Sequence, residues 1–282
     1  MIHPKVSIVT VTYNAAQHVG MTLRSITSQN YDNLEIIVID GGSRDGTVEI
    51  IEQYKQYISV FISEPDTGIY DAMNKGIKHA SGDWIIFINA GDALYSNDVI
   101  AKVFSRNIEP DTSLIFGNIV QYSLDMGLKL VTEPAIHPVE NGPFPYREEL
   151  PSCHQATFYQ TKLMKEHPYR QNDFRICADW ESIAEILDLG LPYKVIPDII
   201  SWFQQGGVSS VQSFAHFAEK EIILGHRINL LTKLKKILLY KIKNLLFNML
   251  PDATSRSVRK KYFMKKYSWV PLTGQEKQYL QS

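Results

Sequence analysis

The sequence predicts an α/β fold: a mainly parallel sheet flanked by helices, with a helical, basic C-terminal extension. Three observations carry the prediction. Strand-like and helix-like segments alternate from Val6 to Ile88, the pattern of βαβ units joined by right-handed crossovers. The strand segments are unbroken apolar runs, as in strands buried on both faces. Each run stops abruptly at small or polar residues, the end at which open α/β sheets bind ligands.

Val6-Ser7-Ile8-Val9-Thr10-Val11-Thr12 is rich in β-branched residues and reads as the first strand, ended by Tyr13-Asn14. A helix is expected over Ala15–Gln29, with Val19, Leu23 and Ile26 at helical spacing. The second strand, Leu34–Ile39, runs into the loop Asp40-Gly41-Gly42-Ser43-Arg44-Asp45-Gly46-Thr47. A helix from Thr47 to Tyr57, a short strand Val60–Ser63, a turn Glu64–Gly68 and a helix Ile69–Ala80 follow. Trp84–Ile88 is the fourth strand and stops at Asn89-Ala90-Gly91-Asp92. Gly91 lets the backbone approach a ligand closely, whereas the plainer reading of this end is an Asx-type turn. Leu114–Val120 reads as a strand with Gly127–Thr132 as its hairpin partner, and the proline-rich stretch Pro134–Pro151 as a loop at the site entrance. Val195–Phe203 is a further strand, and Gly206-Gly207-Val208-Ser209 closes this part of the chain.

The 282 residues, 44% hydrophobic and 21% charged, have the composition of a soluble globular protein. Cys153 and Cys177 form no C-x-x-C pair, so neither a zinc site nor a disulfide framework is indicated, and a reducing cytosol fits. No secretory signal pattern precedes the first strand, and no stretch has the uncharged apolar length of a membrane span. The net charge of −1 hides an asymmetry: 14 Lys and Arg against 4 Asp and Glu beyond Ser210, and 15 against 26 before it. An acidic body with a basic tail points the tail towards an anionic partner.

The strand ends gather Thr12, Tyr13 and Asn14, then Asp40, then Asp66 on a loop, then Asn89 and Asp92. Such a rim suits a nucleotide base and a metal-bound diphosphate: Asp40 can accept from a base N–H, and a divalent cation can bridge Asp92 to phosphate oxygens. The Gly41–Gly46 loop has neither the G-x-G-x-x-G nor the P-loop spacing, so hydride transfer and NTP hydrolysis lose support.

With these residues in view, the first 210 residues resemble the family 2 glycosyltransferases, inverting nucleotide-sugar-dependent enzymes of the GT-A fold. The matching segments are Val6–Asn14, Ile39–Thr47 and Asn74-Lys75-Gly76 through Ala80-Ser81-Gly82-Asp83. The chain departs twice: Asp40-Gly41-Gly42-Ser43 stands for the family's Asp-Asp-Gly-Ser, and Asn89-Ala90-Gly91-Asp92 for its Asp-x-Asp-Asp. The resemblance implies that Cys153–Tyr159 leads back into the site, where His154 is placed to bond a diphosphate or acceptor. A buried His satisfied by backbone is the other reading. It also implies that Asp179 is the general base, at the place of the family's Glu-Asp with Ala178 in place of the Glu. The alternative is an N-cap for the helix expected over Ser182–Leu189, and Glu181 is a second carboxylate nearby.

Beyond residue 210, Leu231, Leu234, Leu238, Ile242, Leu245 and Met249 form one face of a helix, with lysines mostly off that stripe. A second basic cluster, Arg256 to Lys266, is interleaved with Tyr262, Phe263, Tyr267 and Trp269. A basic amphipathic helix with aromatics suits an anionic membrane surface, and the rival is a helix packed on the domain. The expected organisation is therefore a GT-A domain at 1–210 and a membrane-associating extension at 211–282.

The resemblance implies transfer of a sugar, with inversion, from a nucleotide-sugar, a UDP-sugar first among candidates, to a saccharide or lipid-linked saccharide acceptor in cell-surface polysaccharide synthesis. Asp179 would be the base, and Mg2+ or Mn2+ on Asp92 would stabilise the leaving diphosphate. Thr12, Tyr13, Asn14, Asp40, Asp66, Lys75, Asn89 and His154 would bind substrate. The expected location is the cytoplasmic face of the inner membrane, with no nucleic acid bound. Two other classes stay open at this point: a nucleotide-sugar-binding protein without catalysis, and a nucleic-acid-binding protein acting through the basic tail.

Overall fold

The computed structural model describes residues 3–135, 146–147, 151–205, 214–225, 264 and 268–281. Its elements run β1 (Val6–Thr12), α1 (Val19–Thr27), β2 (Leu34–Asp40), α2 (Thr47–Glu52), β3 (Val60–Ser63), α3 (Ile69–His79), β4 (Trp84–Phe87), β5 (Ala93–Leu94), α4 (Val99–Phe104), β6 (Leu114–Ser123) and β7 (Leu128–Thr132). Then come β8 (Thr157–Gln160), α5 (Thr161–Glu166), α6 (Ala178–Asp188), β9 (Tyr193–Gln204), α7 (Phe214–Ile223), β10 (Val270–Pro271) and α8 (Gly274–Gln281).

The strands form one sheet in the order β10-β7-β6-β8-β4-β1-β2-β3, with β9 beside β6 and β5 beside β9. Half of it, β3-β2-β1-β4, is parallel, as the alternation of strands and helices requires. β8, β6 and β7 then continue it antiparallel. Along β1 the side chains alternate between two cores. Val9 and Val11 pack with Tyr70, Met73 and Ile183 on the α3 and α6 side. Val6 and Ile8 pack with Leu23, Ile26 and Ile100 on the α1 and α4 side. This two-sided burial is why the strands read as continuous apolar runs. α3 lies so close to the sheet that a Cβ on Gly76 would collide with the Val9 side chain.

The N-terminal ends of β1, β2 and β4 are tied by a carboxylate knot. Glu35 accepts from Lys5 Nζ (2.8 Å), Ser7 Oγ (2.6 Å), Ser81 N (2.7 Å) and Ser81 Oγ (2.5 Å). The opposite, C-terminal strand ends are free of this knot and open into a cleft.

The described parts of 211–282 pack on the domain. Ile223 of α7 is buried in the α3–α6 core. β10 pairs antiparallel with the edge strand β7. Leu272 and Leu280 are buried with Tyr122 and Trp202, and Tyr279 donates its hydroxyl to the Leu94 carbonyl at 2.9 Å. Trp269, expected among the interfacial aromatics, is buried. The expected amphipathic helix Leu231–Met249, the basic residues from Arg256 to Lys261, the Gly206–Ser209 loop and most of Pro134–Pro151 lie outside the described residues. Among the described residues, no helix is long and apolar enough to cross a membrane.

The Glu35 knot should matter to stability. Burial works to raise its carboxyl, but the Lys5, Ser7 and Ser81 hydrogen bonds outweigh that and hold it down at about 2, from an ordinary 4.5. Its contribution is therefore complete above pH 4.5 and is lost as pH falls towards 2. Glu35→Ala leaves Ser7 and Ser81 donors unpaired and is expected to cost about 2–4 kcal/mol at neutral pH, read from urea unfolding, with a flatter acid dependence than the parent chain.

Candidate active site

The cleft at the C-terminal strand ends has a volume of about 720 Å³ and is lined by residues from the ends of β1, β4 and β9, the start of α3 and the start of α6. A larger groove of about 1130 Å³ lies at the other strand ends, around Ser81–Trp84 and Arg106–Pro110, and contains none of the expected site residues.

The floor of the first cleft is organised by one hydrogen-bonded chain. Asp179 sits in the first turn of α6, which begins at Ala178 and so starts earlier than the expected Ser182. Its Oδ2 is 3.0 Å from His154 Nδ1. On the other side of the imidazole, His154 Nε2 is 3.1 Å from Asn89 Nδ2. An amide nitrogen only donates, so this orientation makes Nε2 the acceptor and places the ring proton on Nδ1, donated to Asp179. Phe87 meets the His154 ring edge-on and limits its rotation. Tyr70 Oη lies 2.9 Å from Asp179 Oδ1 and 2.7 Å from the Ile176 carbonyl oxygen, two acceptors that share its single proton. Burial raises the Asp179 carboxyl, but the hydrogen bonds from His154 and then Tyr70 more than offset this and hold it below the usual range. Its side chain is 16% exposed and opens on the cleft.

Asp92 has different surroundings. It is buried, Oδ2 accepts from Gln155 Nε2 (3.0 Å) and Oδ1 from the Gln204 N–H (3.2 Å). Burial pushes its carboxyl up to about 6. Gly91 has φ +102, and a Cβ there would crowd the Gln204 side chain, so the backbone turns beneath Gln204. Among the described residues, no three His, Cys, Asp or Glu side chains are grouped to hold a metal ion. Asp92 is thus a brace between β4, the 154–156 turn and β9. As a donor set for a divalent cation one carboxylate is incomplete on its own, but each Asp92 oxygen carries a single hydrogen bond and keeps a lone pair, so the set fits a cation completed by diphosphate oxygens.

The structure sorts the remaining expected residues. Tyr13, 64% exposed, and Asp66 stand together on the cleft wall, and a Cβ on Gly41 would collide with the Asp66 carboxylate. Thr12 and Asn89 are buried at its floor, where Thr12 Oγ1 and Asn89 Oδ1 find no partner among the described residues. Three others turn away from the cleft. Asp40 is fully buried and accepts from Gly42 N, Ser43 N, Ser43 Oγ and Ser63 Oγ, so it orders the 41–46 loop and has no face for a base. Asn14 accepts from Arg44 N and donates its own N–H to Ser43 Oγ, pinning the same loop. Lys75 pairs with Glu64 (2.8 Å) and bonds the Pro65 carbonyl (3.0 Å), which fixes the approach to Asp66. Glu181 pairs with Arg170 at 2.9 Å, away from the cleft.

Several site residues escaped the sequence. Tyr70 belongs to an amphipathic helix and reads as core; its tie to Asp179 spans 109 positions. Gln155 and Gln204 have no motif. His18 and Arg175 stand on the cleft wall, and neither forms an ion pair with another described residue. Arg175 lies four positions before Asp179, a spacing that could have drawn notice.

The sequence model described as Glycosyl transferase family 2 matches residues 7–166. A PGL/p-HBAD biosynthesis glycosyltransferase of Mycobacterium bovis is 32% identical over 190 residues, spanning 64% of this chain and 69% of its own length. Among solved structures, S. aureus TarS superposes with a TM-score of 0.60 at 19% identity, over 81% of this chain and 41% of TarS; its 1–349 fragment has been solved with UDP-GlcNAc. The mannosyltransferase PcManGT of Pyrobaculum calidifontis, solved with GDP-Man and Mn2+, has a TM-score of 0.57 at 15% identity, over 94% and 76%. At these identities the structural likeness is one of fold, and it bears out the GT-A architecture.

The imidazole–carboxylate contact has a direct readout. Replacing His154 by Ala removes the larger of the influences that hold the Asp179 carboxyl down, while burial persists. Its titration, followed by 13C NMR, is expected to move to higher pH; an unchanged midpoint would show that His154 does not set it.

Proposed function

The chain belongs to glycosyl transferase family 2, and from that premise we propose that it moves a sugar from a nucleotide-sugar donor to a hydroxyl of a saccharide acceptor, with inversion. The observation that carries this reading is the half-buried, hydrogen-bonded Asp179 carboxylate opening on a cleft at the strand ends.

The chemistry needs a base, a place for the nucleoside and a way to accept charge on the leaving group. Asp179, held below its usual range, is ionised at neutral pH and takes the acceptor's proton as the hydroxyl oxygen forms its bond to the anomeric carbon. The bond from that carbon to the diphosphate oxygen breaks on the opposite face, and the nucleoside diphosphate leaves, which inverts the centre. Tyr70 and His154 keep the carboxylate aimed at the cleft and in one rotamer. Tyr13 and Asp66 offer a ring face and a carboxylate to the nucleoside. Asn89 Oδ1 and Thr12 Oγ1, buried acceptors at the floor, suit hydroxyl donors of the ribose or sugar.

Arg175 and His18 are the side chains on the cleft wall suited to the leaving diphosphate. The divalent ion that the family resemblance implies would be held by Asp92, whose oxygens keep lone pairs beyond the Gln155 and Gln204 bonds, and would supply positive charge to the leaving diphosphate. The donors seen with the fold neighbours, UDP-GlcNAc and GDP-Man, define the first panel to test.

Two outcomes are expected. Asp179→Asn should lower turnover, read as release of nucleoside diphosphate, by about 10²–10⁴ while leaving UDP or GDP binding in place. Near-full turnover in that variant would remove Asp179 from the chemistry. Calorimetric affinity for the bound nucleotide should be stronger in Mn2+ than in EDTA by about tenfold or more, 1.4 kcal/mol; equal affinity in the two would take the metal away from the leaving group.

A further inference from the structure

α7 lies beyond the expected end of the catalytic domain, yet one of its side chains reaches the residues that position the base. Glu219 is buried. Its Oε1 accepts the N–H of Arg175 at 2.8 Å, and its Oε2 accepts those of Ile176 (2.9 Å) and Cys177 (2.8 Å). Three consecutive backbone donors thus converge on one carboxylate. Cys177 is the N-cap of α6 and makes no side-chain cap bond of its own. The start of α6 is therefore satisfied from another part of the chain, by a negative group at the positive end of the helix. Asp179 follows two residues later. The contact is reinforced by Lys220, whose ammonium sits 4.9 Å from the Trp180 ring centre, and by Ile223 in the α6 core.

We propose that Glu219 is a positioning residue for glycosyl transfer: it fixes the 175–177 backbone, and through it sets Asp179 on one side and Arg175 on the other. The proposal rests on the reading of Asp179 as the base. The physical reason is reach. Tyr70 and His154 hold the carboxylate's two oxygens, but its Cα is fixed by the turn that precedes α6. That turn contains the Ile176 carbonyl to which Tyr70 is also bonded. Free of Glu219, three adjacent N–H groups would have to find water or rearrange, and the start of α6 would shift with them. A displacement near 1 Å at a reacting group is enough to lower a rate by about 10². It follows that α7, which composition assigns to a separate extension, is part of the catalytic unit.

The test uses the full chain. Glu219→Gln keeps the shape but turns an amide NH2 towards backbone donors; Glu219→Asp keeps the charge but shortens the reach. For Glu219→Gln, kcat is expected to fall by about 10–10², with UDP affinity within about threefold and a smaller loss for Glu219→Asp. A strut that only supports the fold would lower the melting temperature and leave kcat of the folded fraction intact; that result overturns the proposal. Should neither variant fold, hydrogen exchange on the parent chain decides: the 175–177 amides should exchange as slowly as the interior of α6, and rapid exchange counts against the clamp. If Asp179→Asn keeps full turnover, the function reading itself fails; if that variant is dead while both Glu219 variants turn over normally, only the clamp fails.

Discussion

The site depends on one constraint: a carboxylate withdrawn from water must be held by donors, or it takes up a proton and ceases to be a base. Asp179 meets this through His154 and Tyr70, and each donor is itself held in place. Asn89 and Phe87 fix the imidazole; the Ile176 carbonyl and the α3 core fix the phenol. The elements that deliver these side chains, the end of β4, the turn before β8, α3 and α6, are far apart in sequence, and the sheet order brings them to one edge of the cleft. Asp92, one motif away, lacks comparable donors and is pushed the other way, up to about 6. The two carboxylates share a cleft and differ in environment, a common route to separate roles.

The rim around them is built largely by side chains that bind their own loops. Asp40, Asn14 and Ser43 tie the 41–46 loop, Asp45 ties Thr47 and the Ala16 N–H, and Lys75 ties the 64–65 turn. The bonds of Asp40 to Ser43 and of Asp45 to Thr47 are local ones typical of turns, whereas Asn14 to the Arg44 N–H and Asp45 to the Ala16 N–H join loops 30 and 29 positions apart. They fix where Tyr13 and Asp66 stand without occupying the cleft themselves.

Much of this was legible in the sequence, and the limits are physical. Runs such as Val6–Thr12 and Trp84–Ile88 are apolar on both faces because the strands are covered on both, so the parallel half of the sheet could be read directly. Asp179 and His154 could be placed through family resemblance, since 25 positions separate them and no local spacing joins them. Asp40 and Lys75 were expected at the ligand because residue type and strand end say nothing of which way a side chain turns. For Asp40 a local cue existed: Gly42 and Ser43 offer N–H and hydroxyl groups two and three residues on, the mark of an Asx-type turn. Composition also misplaces Glu219. An excess of lysine and arginine after residue 210 describes an average, and says nothing of one buried acid facing back into the domain.

The pairing of β10 with β7 has a consequence for how the chain is made. β7 is complete at residue 132, but the strand that covers its edge comes from Val270–Pro271. During synthesis from the N-terminus, the sheet therefore waits through most of another 140 residues with an open ladder, which includes the partly exposed Val131. An uncovered strand edge is a template for pairing with another copy, and long-range closures are slow to form. The nascent chain passes through a sticky stage that ends only once Val270–Pro271 has emerged and paired. Loss of the Val270–Pro271 strand would make that stage permanent.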